Sequence, residues 1–130
     1  MGFNHVCLKV VHEGKAKVVG KIVQVNGKDV FYHAHKSSQR HRLLDALAID
    51  IAVLNWLTSR DIAEVHYYDT EQQILRVASA KDFLEKGIRK DWGNRDRYYL
   101  PLGFWEETRR WYQKPPWASI EVIVNEQVTV

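Results

Sequence analysis

Several side chains that could bind a metal or transfer a proton fall within residues 33–50. His33 and His35 lie two positions apart in a strand-like segment, so they project from the same face. His41 and Asp45 lie four positions apart in a segment with helical spacing, so they share a helix face. Three imidazoles and a carboxylate are chemically sufficient for a divalent metal such as zinc, and a water at an open position would make the site hydrolytic.

The alternative for the histidines is structural. In that interpretation His33 packs over Gly20, while His35 and His41 face solvent. The spacing matches no established metal-binding motif, so both interpretations stay open.

Asp50 is a separate case, because it falls inside the apolar stripe of the expected helix. A charge there is costly unless it is paired or hydrogen-bonded. Either Asp50 is a buried acid that holds a histidine or an arginine, or the helix breaks and Asp50 caps a segment that starts at Ile51. Asp50, His41 and Asp45 are the candidates for general acid–base catalysis.

Positive charge at the expected start of this helix indicates an anionic partner. No acidic residue lies between Asp29 and Asp45. We therefore expect Lys36, Arg40 and Arg42 to meet phosphates, assisted by the helix N-terminus.

A second basic region covers residues 81–114, which hold nine Lys or Arg against six Asp or Glu. Aromatic residues alternate with these cations, and basic side chains can neutralise phosphates while rings stack on unpaired bases. The expected nucleic-acid contacts in this region are Arg89, Lys90, Trp92, Arg95 and Arg97. The same residue types are common anchors of protein interfaces, which makes a protein partner the alternative.

The composition is that of a globular protein, with 45% hydrophobic and 27% charged residues and a formal net charge of +3. The single cysteine, Cys7, cannot form an internal disulfide and fits a reducing, cytoplasmic compartment. The longest near-apolar run, residues 51–57, is far below the ~20 residues of a membrane-spanning helix. We expect one domain over residues 1–130, with hairpins and a long helix in 1–87 and an aromatic and basic segment plus a last strand in 88–130.

The elements that must position these residues are two β-hairpins and a helix. Asn26-Gly27 predicts a type I′ turn, with Val23 opposite Val30 and Lys21 opposite Tyr32. A long amphipathic helix over residues 39–59 is predicted by apolar residues at helical spacing, which are Leu43, Leu44, Leu47, Ile51, Leu54 and Leu57. Strands are expected at 62–69, 73–77 and 119–124, and Ser79 with Asp82 predicts a capping box for a short helix.

These elements predict an α+β fold, with a mainly antiparallel sheet built from two β-hairpins. The long helix and one or two short helices would pack on that sheet.

The chain has no glycine-rich phosphate loop, GxGxxG, CxxC or GxSxG motif, which favours binding over catalysis. The leading hypothesis is a small nucleic-acid-associated protein that binds DNA or RNA without a cofactor. The alternatives are a metal-dependent hydrolase or nuclease that uses the histidines, and an interaction or inhibitor module that uses the Trp-rich C-terminal third.

Overall fold

The computed structural model describes residues 6–12, 14–91, 96–109 and 121–124. Ten strands occur in these residues: β1 (Val6–His12), β2 (Lys15–Val25), β3 (Lys28–His35), β4 (Ala46–Asp50), β5 (Glu64–Asp69), β6 (Ile74–Ser79), β7 (Ile88–Asp91), β8 (Asp96–Pro101), β9 (Glu106–Arg109) and β10 (Glu121–Val124). Two short helices accompany them: α1 (Ile51–Ser59) and α2 (Ala80–Lys86). None of the helices in the described ranges is long and apolar enough to cross a membrane.

The described strands form two sheets. The main sheet has the order β10-β1-β2-β3-β5-β6-β9, and a smaller one has the order β4-β8-β7. The main sheet is mixed, because β10 runs parallel to β1 and β5 runs parallel to β3. Between β3 and β5 the chain leaves the main sheet and forms β4 and α1. This long crossover connection allows β5 to run parallel to β3. The expectation of a mainly antiparallel sheet made of two hairpins is therefore wrong.

The first predicted hairpin is confirmed. Asn26 and Gly27 have φ angles of 52° and 79°, as a type I′ turn requires. The strands pair Val23 with Val30 and Lys21 with Tyr32. This register places His33 and His35 on the same face as Phe31.

The predicted long helix is wrong. No helix longer than α1 occurs in the described residues, and α1 begins at Ile51. The preceding chain makes a tight turn, closed by hydrogen bonds between the backbones of His41 and Ala46, and then forms β4. Leu43, which the helical pattern placed in the core, is 92% exposed in this turn. The short apolar run of residues 46–49 fits a buried strand as well as part of a helix, and pairing with β8 decides between the two.

The second hairpin and the short helix are confirmed. β5 and β6 pair antiparallel around the turn after Asp69. The hydroxyl of Ser79 accepts a hydrogen bond from the backbone N–H of Asp82 at 3.0 Å, and the Asp82 carboxylate accepts one from the Ser79 N–H at 3.1 Å. This reciprocal pair is the predicted capping box of α2.

The C-terminal third contains more strands than the sequence indicates. β7, β8 and β9 occupy positions for which only turn signals are visible. Trp105 is buried between the sheets, and its indole N–H donates to the carbonyl of Leu100 at 3.0 Å. The expected last strand corresponds to β10, and residues 119–120 of that prediction lie outside the described residues.

One apolar cluster joins the two sheets and the helices. Phe31 and Val65 of the main sheet, Leu100 of the smaller sheet, Leu54 of α1 and Phe83 of α2 belong to it. A second cluster on the opposite face of the main sheet contains Val23, Val30, Tyr32, Tyr68 and Leu75. The junction of the two sheets leaves a cleft beside the first cluster.

Candidate functional site

The cleft has a volume of about 190 Å³ and lies between the main sheet and the end of β4. Its described polar lining residues are Lys17, His33, His35, Gln39, Asp50, Tyr67 and Arg97. They reach the cleft from five strands and from a single 3₁₀ turn, Ser37–Gln39. The site therefore depends on strand pairing between residues that are distant in sequence.

His33 and His35 face this cleft together, as their spacing predicts. Their rings are stacked, with centroids 6.4 Å apart and planes 15° apart. Tyr67, which pairs with His33 across β3 and β5, packs against both rings at 5.4 and 6.0 Å. The two imidazoles therefore have fixed positions on one wall of the cleft.

The surroundings of both histidines favour the neutral form. Burial lowers the pKa of His33 to about 4, and the charges of His35 and Lys17 act in the same direction. Burial also lowers the pKa of His35, against the opposing effects of the Lys36 carbonyl and of Asp69. Near neutral pH the two rings are thus hydrogen-bonding groups and proton acceptors without charge.

The tautomer of His35 follows from its contacts. Its Nδ1 lies 2.9 Å from the carbonyl oxygen of Lys36, and because a carbonyl can only accept, Nδ1 must carry the proton. Nε2 of the neutral ring is then a bare acceptor. This atom is buried and has no hydrogen-bond partner in the described part of the chain.

Asp50 and Arg97 form the opposite wall of the cleft. Asp50 is the residue before α1, but its carboxylate makes no capping hydrogen bond and instead lies 3.4 Å from Nε of Arg97. The predicted helical segment that starts at Ile51 is confirmed, but the predicted capping by the carboxylate is wrong. The carboxylate holds an arginine, as the other alternative has it. The side chain of Asp50 is 7% exposed and that of Arg97 is 31% exposed, so the pair is half-desolvated.

The hydroxyl of Tyr67 links this wall to the main sheet. It donates to the carbonyl oxygen of Ala48 at 2.6 Å. Burial raises the pKa of Tyr67, and the nearby Asp50 carboxylate raises it further, so the phenol stays protonated and remains a donor. The bond fixes β4 against β5 and so sets the width of the cleft.

Another ion pair, in which both side chains are buried, lies beside the histidines. Asp69 is Cα partner to His35, and its carboxylate accepts hydrogen bonds from the Ser37 hydroxyl at 2.6 Å and from the backbone of the following turn. Burial opposes ionisation, but these hydrogen bonds prevail and lower the pKa of Asp69. Arg76 lies 3.7 Å from the same carboxylate and also pairs with Glu107. This network holds the 3₁₀ turn that carries Gln39 into the cleft.

The cations predicted to meet phosphates have mixed positions. Arg97 lines the cleft, and Lys90 is its cross-strand partner, so the two share a face of the smaller sheet. Arg89 is engaged in an exposed ion pair with Asp96, at 2.6 Å. Trp92 and Arg95 lie outside the described residues.

The prediction of a basic helix start is wrong for the other three cations. Lys36 and Arg40 flank the 3₁₀ turn, and Arg42 is exposed in the turn before β4. None of them is near the start of an α-helix, because α1 begins nine residues after Arg42. Arg40 pairs instead with Asp45 at 3.4 Å.

The four predicted metal ligands do not come together. The ring of His41 packs edge-on against Tyr99 at 5.2 Å, and its Nδ1 accepts the backbone N–H of Leu44 at 3.1 Å. Asp45 is exposed in the same turn, with a φ angle of 47°. No group of three or more His, Cys, Asp or Glu side chains in the described ranges is placed to hold a metal ion. Of the three candidates for acid–base catalysis, Asp50 alone is among the described lining residues.

Sequence reasoning missed Lys17, Tyr67 and the Asp69–Arg76 pair. Asp69 had a local signal, because an aspartate before a turn accepts hydrogen bonds from the backbone that follows it. The other residues reach the site through pairing between distant strands, for which one sequence gives no direct indication.

Comparisons with known proteins include a distant structural likeness. No protein-family model matches the chain, and no curated protein matches it. Among solved structures, a nuclease from a fusselovirus has a TM-score of 0.46 and 14% sequence identity. The match covers 67% of this chain and 58% of that chain. The functional proposal therefore rests on the residues of the cleft.

Proposed function

We propose that this protein binds nucleic acid and that the cleft holds a phosphate of the nucleic-acid backbone. The observation that carries the proposal is that Lys17 and Arg97 line one small cleft, in which Asp50 is the single carboxylate among the described lining residues. Asp50 is engaged with Arg97 through Nε. A guanidinium has further N–H donors in its planar fork, so Arg97 keeps donors for a second anion.

The size of the cleft supports a phosphate and part of a sugar as its occupant. Its volume of about 190 Å³ is below the roughly 300 Å³ at which pockets for drug-sized molecules begin. Lys90 is the cross-strand partner of Arg97, so a second phosphate can be neutralised beside the first. Phosphate contacts of this kind fix the position of a nucleic acid without reading its sequence.

Binding of short labelled RNA and DNA oligonucleotides, measured by fluorescence anisotropy at several salt concentrations, tests this proposal. We expect the double variant Lys17→Ala, Lys90→Ala to bind roughly tenfold more weakly than the wild type. Its salt slope should be shallower by about 0.7 for each phosphate of a single strand that the variant no longer neutralises. Both effects arise because the variant releases fewer counterions on binding.

Lys28→Ala is the matched control. Lys28 is an exposed lysine of the same hairpin, but it lies at the Asn26-Gly27 end of β3, seven residues from His35. At the rise of a strand this separation is roughly 23 Å. The proposal fails if the protein binds none of the oligonucleotides, or if the double variant and Lys28→Ala are weakened to the same extent.

A further inference from the structure

We propose that the cleft recognises the ribose 2′-hydroxyl through Nε2 of His35, and that the protein therefore prefers RNA to DNA. This inference rests on the proposed nucleic-acid binding and names its substrate class.

The first step is that His35 needs a donor from outside the described chain. The residue is 4% exposed, and Nε2 has no hydrogen-bond partner in the described ranges. A buried polar atom without a partner carries a free-energy cost that a ligand can remove. The Nδ1 contact with the Lys36 carbonyl fixes the tautomer, so the ligand must present an O–H or N–H group.

The second step is that the ring is held in one orientation, so that a small opening of the cleft wall suffices to bring a donor to the buried Nε2. Stacking on His33 and the packing of Tyr67 fix its plane, and the Lys36 carbonyl fixes its rotation. An acceptor that is already oriented loses little entropy when the ligand binds.

The third step concerns which donor accompanies a phosphate. Phosphodiester oxygens only accept hydrogen bonds, and the sugar–phosphate backbone of DNA has no O–H group within a strand. In RNA the 2′-hydroxyl lies beside the 3′-phosphate, so one nucleotide supplies an anion for Lys17 and Arg97 and a donor for His35. The 2′-hydroxyl is the group by which proteins tell the two nucleic acids apart at a given site.

The size of the cleft favours this donor over a base edge. A volume of about 190 Å³ admits a phosphate and part of its sugar more readily than a whole nucleotide. The bases then remain outside the cleft, and the preference for RNA should not depend on their identity.

The test compares three oligonucleotides of one sequence: single-stranded RNA, DNA, and RNA with 2′-fluoro substitution, which cannot donate. We expect the wild-type protein to bind RNA about tenfold more tightly than either of the others. His35→Phe keeps a buried ring but removes the acceptor, so it should bind all three with the affinity that the wild type has for DNA.

His66→Phe is the matched control. His66 is also buried, with 5% exposure, but it follows Val65 and precedes Tyr67 on β5 and so points to the other face of the main sheet. This variant should keep the preference for RNA. The fold of both variants is checked by circular dichroism, and the comparison of RNA with 2′-fluoro RNA on the wild type needs no variant.

The outcomes separate the two proposals. Equal, salt-dependent affinity of the wild type for all three oligonucleotides overturns the role of His35 and leaves nucleic-acid binding intact. A preference that follows base sequence instead of the 2′-hydroxyl also overturns it. If the wild type binds none of the three oligonucleotides, both the role of His35 and the proposed nucleic-acid binding are overturned.

Discussion

At the scale of single residues, some groups of the site have their partners far away in sequence and others have them in the next residue. Asp50 is the last residue of β4 and directly precedes α1, where a helix cap is expected, yet its carboxylate turns to Arg97, forty-seven positions further along the chain. His35 and His33 share a face as expected, but the carbonyl that fixes the His35 tautomer belongs to the next residue. The residue types show that Asp50 can form an ion pair and that His35 can accept a hydrogen bond. The surrounding structure decides which partner each of them has.

The Asp50–Arg97 pair gives a prediction about stability. Asp50→Ala should lower the free energy of unfolding by about 2 kcal/mol, because it leaves a partly buried guanidinium without its counter-charge. Asp96→Ala is the control, since Asp96 pairs with the exposed Arg89 and exposed ion pairs contribute little to stability. Urea denaturation measures both variants. Equal decreases would mean that Asp50 adds no more than a surface charge does.

At the scale of elements, β2 and β3 approach closely beneath the cleft. The ring of Phe31, which lines the cleft, lies against Gly20 of β2 where a Cβ would stand. The backbone oxygen of Tyr32 would also lie 2.9 Å from that Cβ. Gly20 thus permits the ring position that closes the floor of the cleft.

Gly20→Ala should therefore destabilise the protein by about 1–3 kcal/mol, because the Phe31 ring must leave its position in a packed core. Gly103→Ala is the matched control: a Cβ there meets nothing within 4 Å, and its stability should change little. Thermal unfolding compares the two variants with the wild type. A Gly20→Ala protein as stable as Gly103→Ala would show that β2 can move away from the ring.

Elements with local signals were predictable from the sequence. The Asn26-Gly27 turn needs positive φ at both residues, and the Ser79–Asp82 capping box is closed within four residues, so neither depends on the rest of the chain.

The prediction of a helix over residues 39–59 was wrong for the opposite reason. Leu47 fits helical spacing with Leu44 and Ile51, but in the structure it lies in a strand that pairs with β8. The residues of β8 carry no strand signal, so β4 had no visible partner.

Some lining residues of the cleft were named from the sequence, namely the two histidines, Asp50 and Arg97, and the other polar lining residues were not. Periodicity places two side chains on one face of one strand. It does not show which strand lies next to them, so Tyr67 and Lys17 were missed. The predicted grouping of His41 and Asp45 with the other histidines depended on the helix and failed with it.

At the scale of the whole molecule, the cleft lies where the two sheets meet, so ionisation there affects the stability of the entire fold. His33 and His35 lie beside the apolar cluster that joins the sheets. The charged and titratable groups that face them are Lys17, Asp50 with Arg97, Asp69 with Arg76, and the phenol of Tyr67. Protonation of either imidazole places a charge that these surroundings disfavour.

The sign of the resulting pH dependence follows from the lowered pKa values. A histidine whose pKa is lowered in the folded state binds fewer protons there than in the unfolded chain, so stability falls as the pH falls below the unfolded value. For His33 this range extends from the ordinary value of 6.5 to about 4. The change from about pH 7 to about pH 5 should cost about 2 kcal/mol through His33 alone. His35 acts in the same direction, and the lowered pKa of Asp69 extends the destabilisation to lower pH.

Urea denaturation at the two pH values and constant ionic strength measures this destabilisation, and His33→Gln should show a correspondingly smaller one. The comparison is made within each protein, so a change in the overall stability of the variant does not obscure it. If His33→Gln and the wild type are destabilised equally on acidification, His33 is not held neutral by the cleft. If the wild type becomes more stable on acidification, the imidazoles are not held neutral by their surroundings.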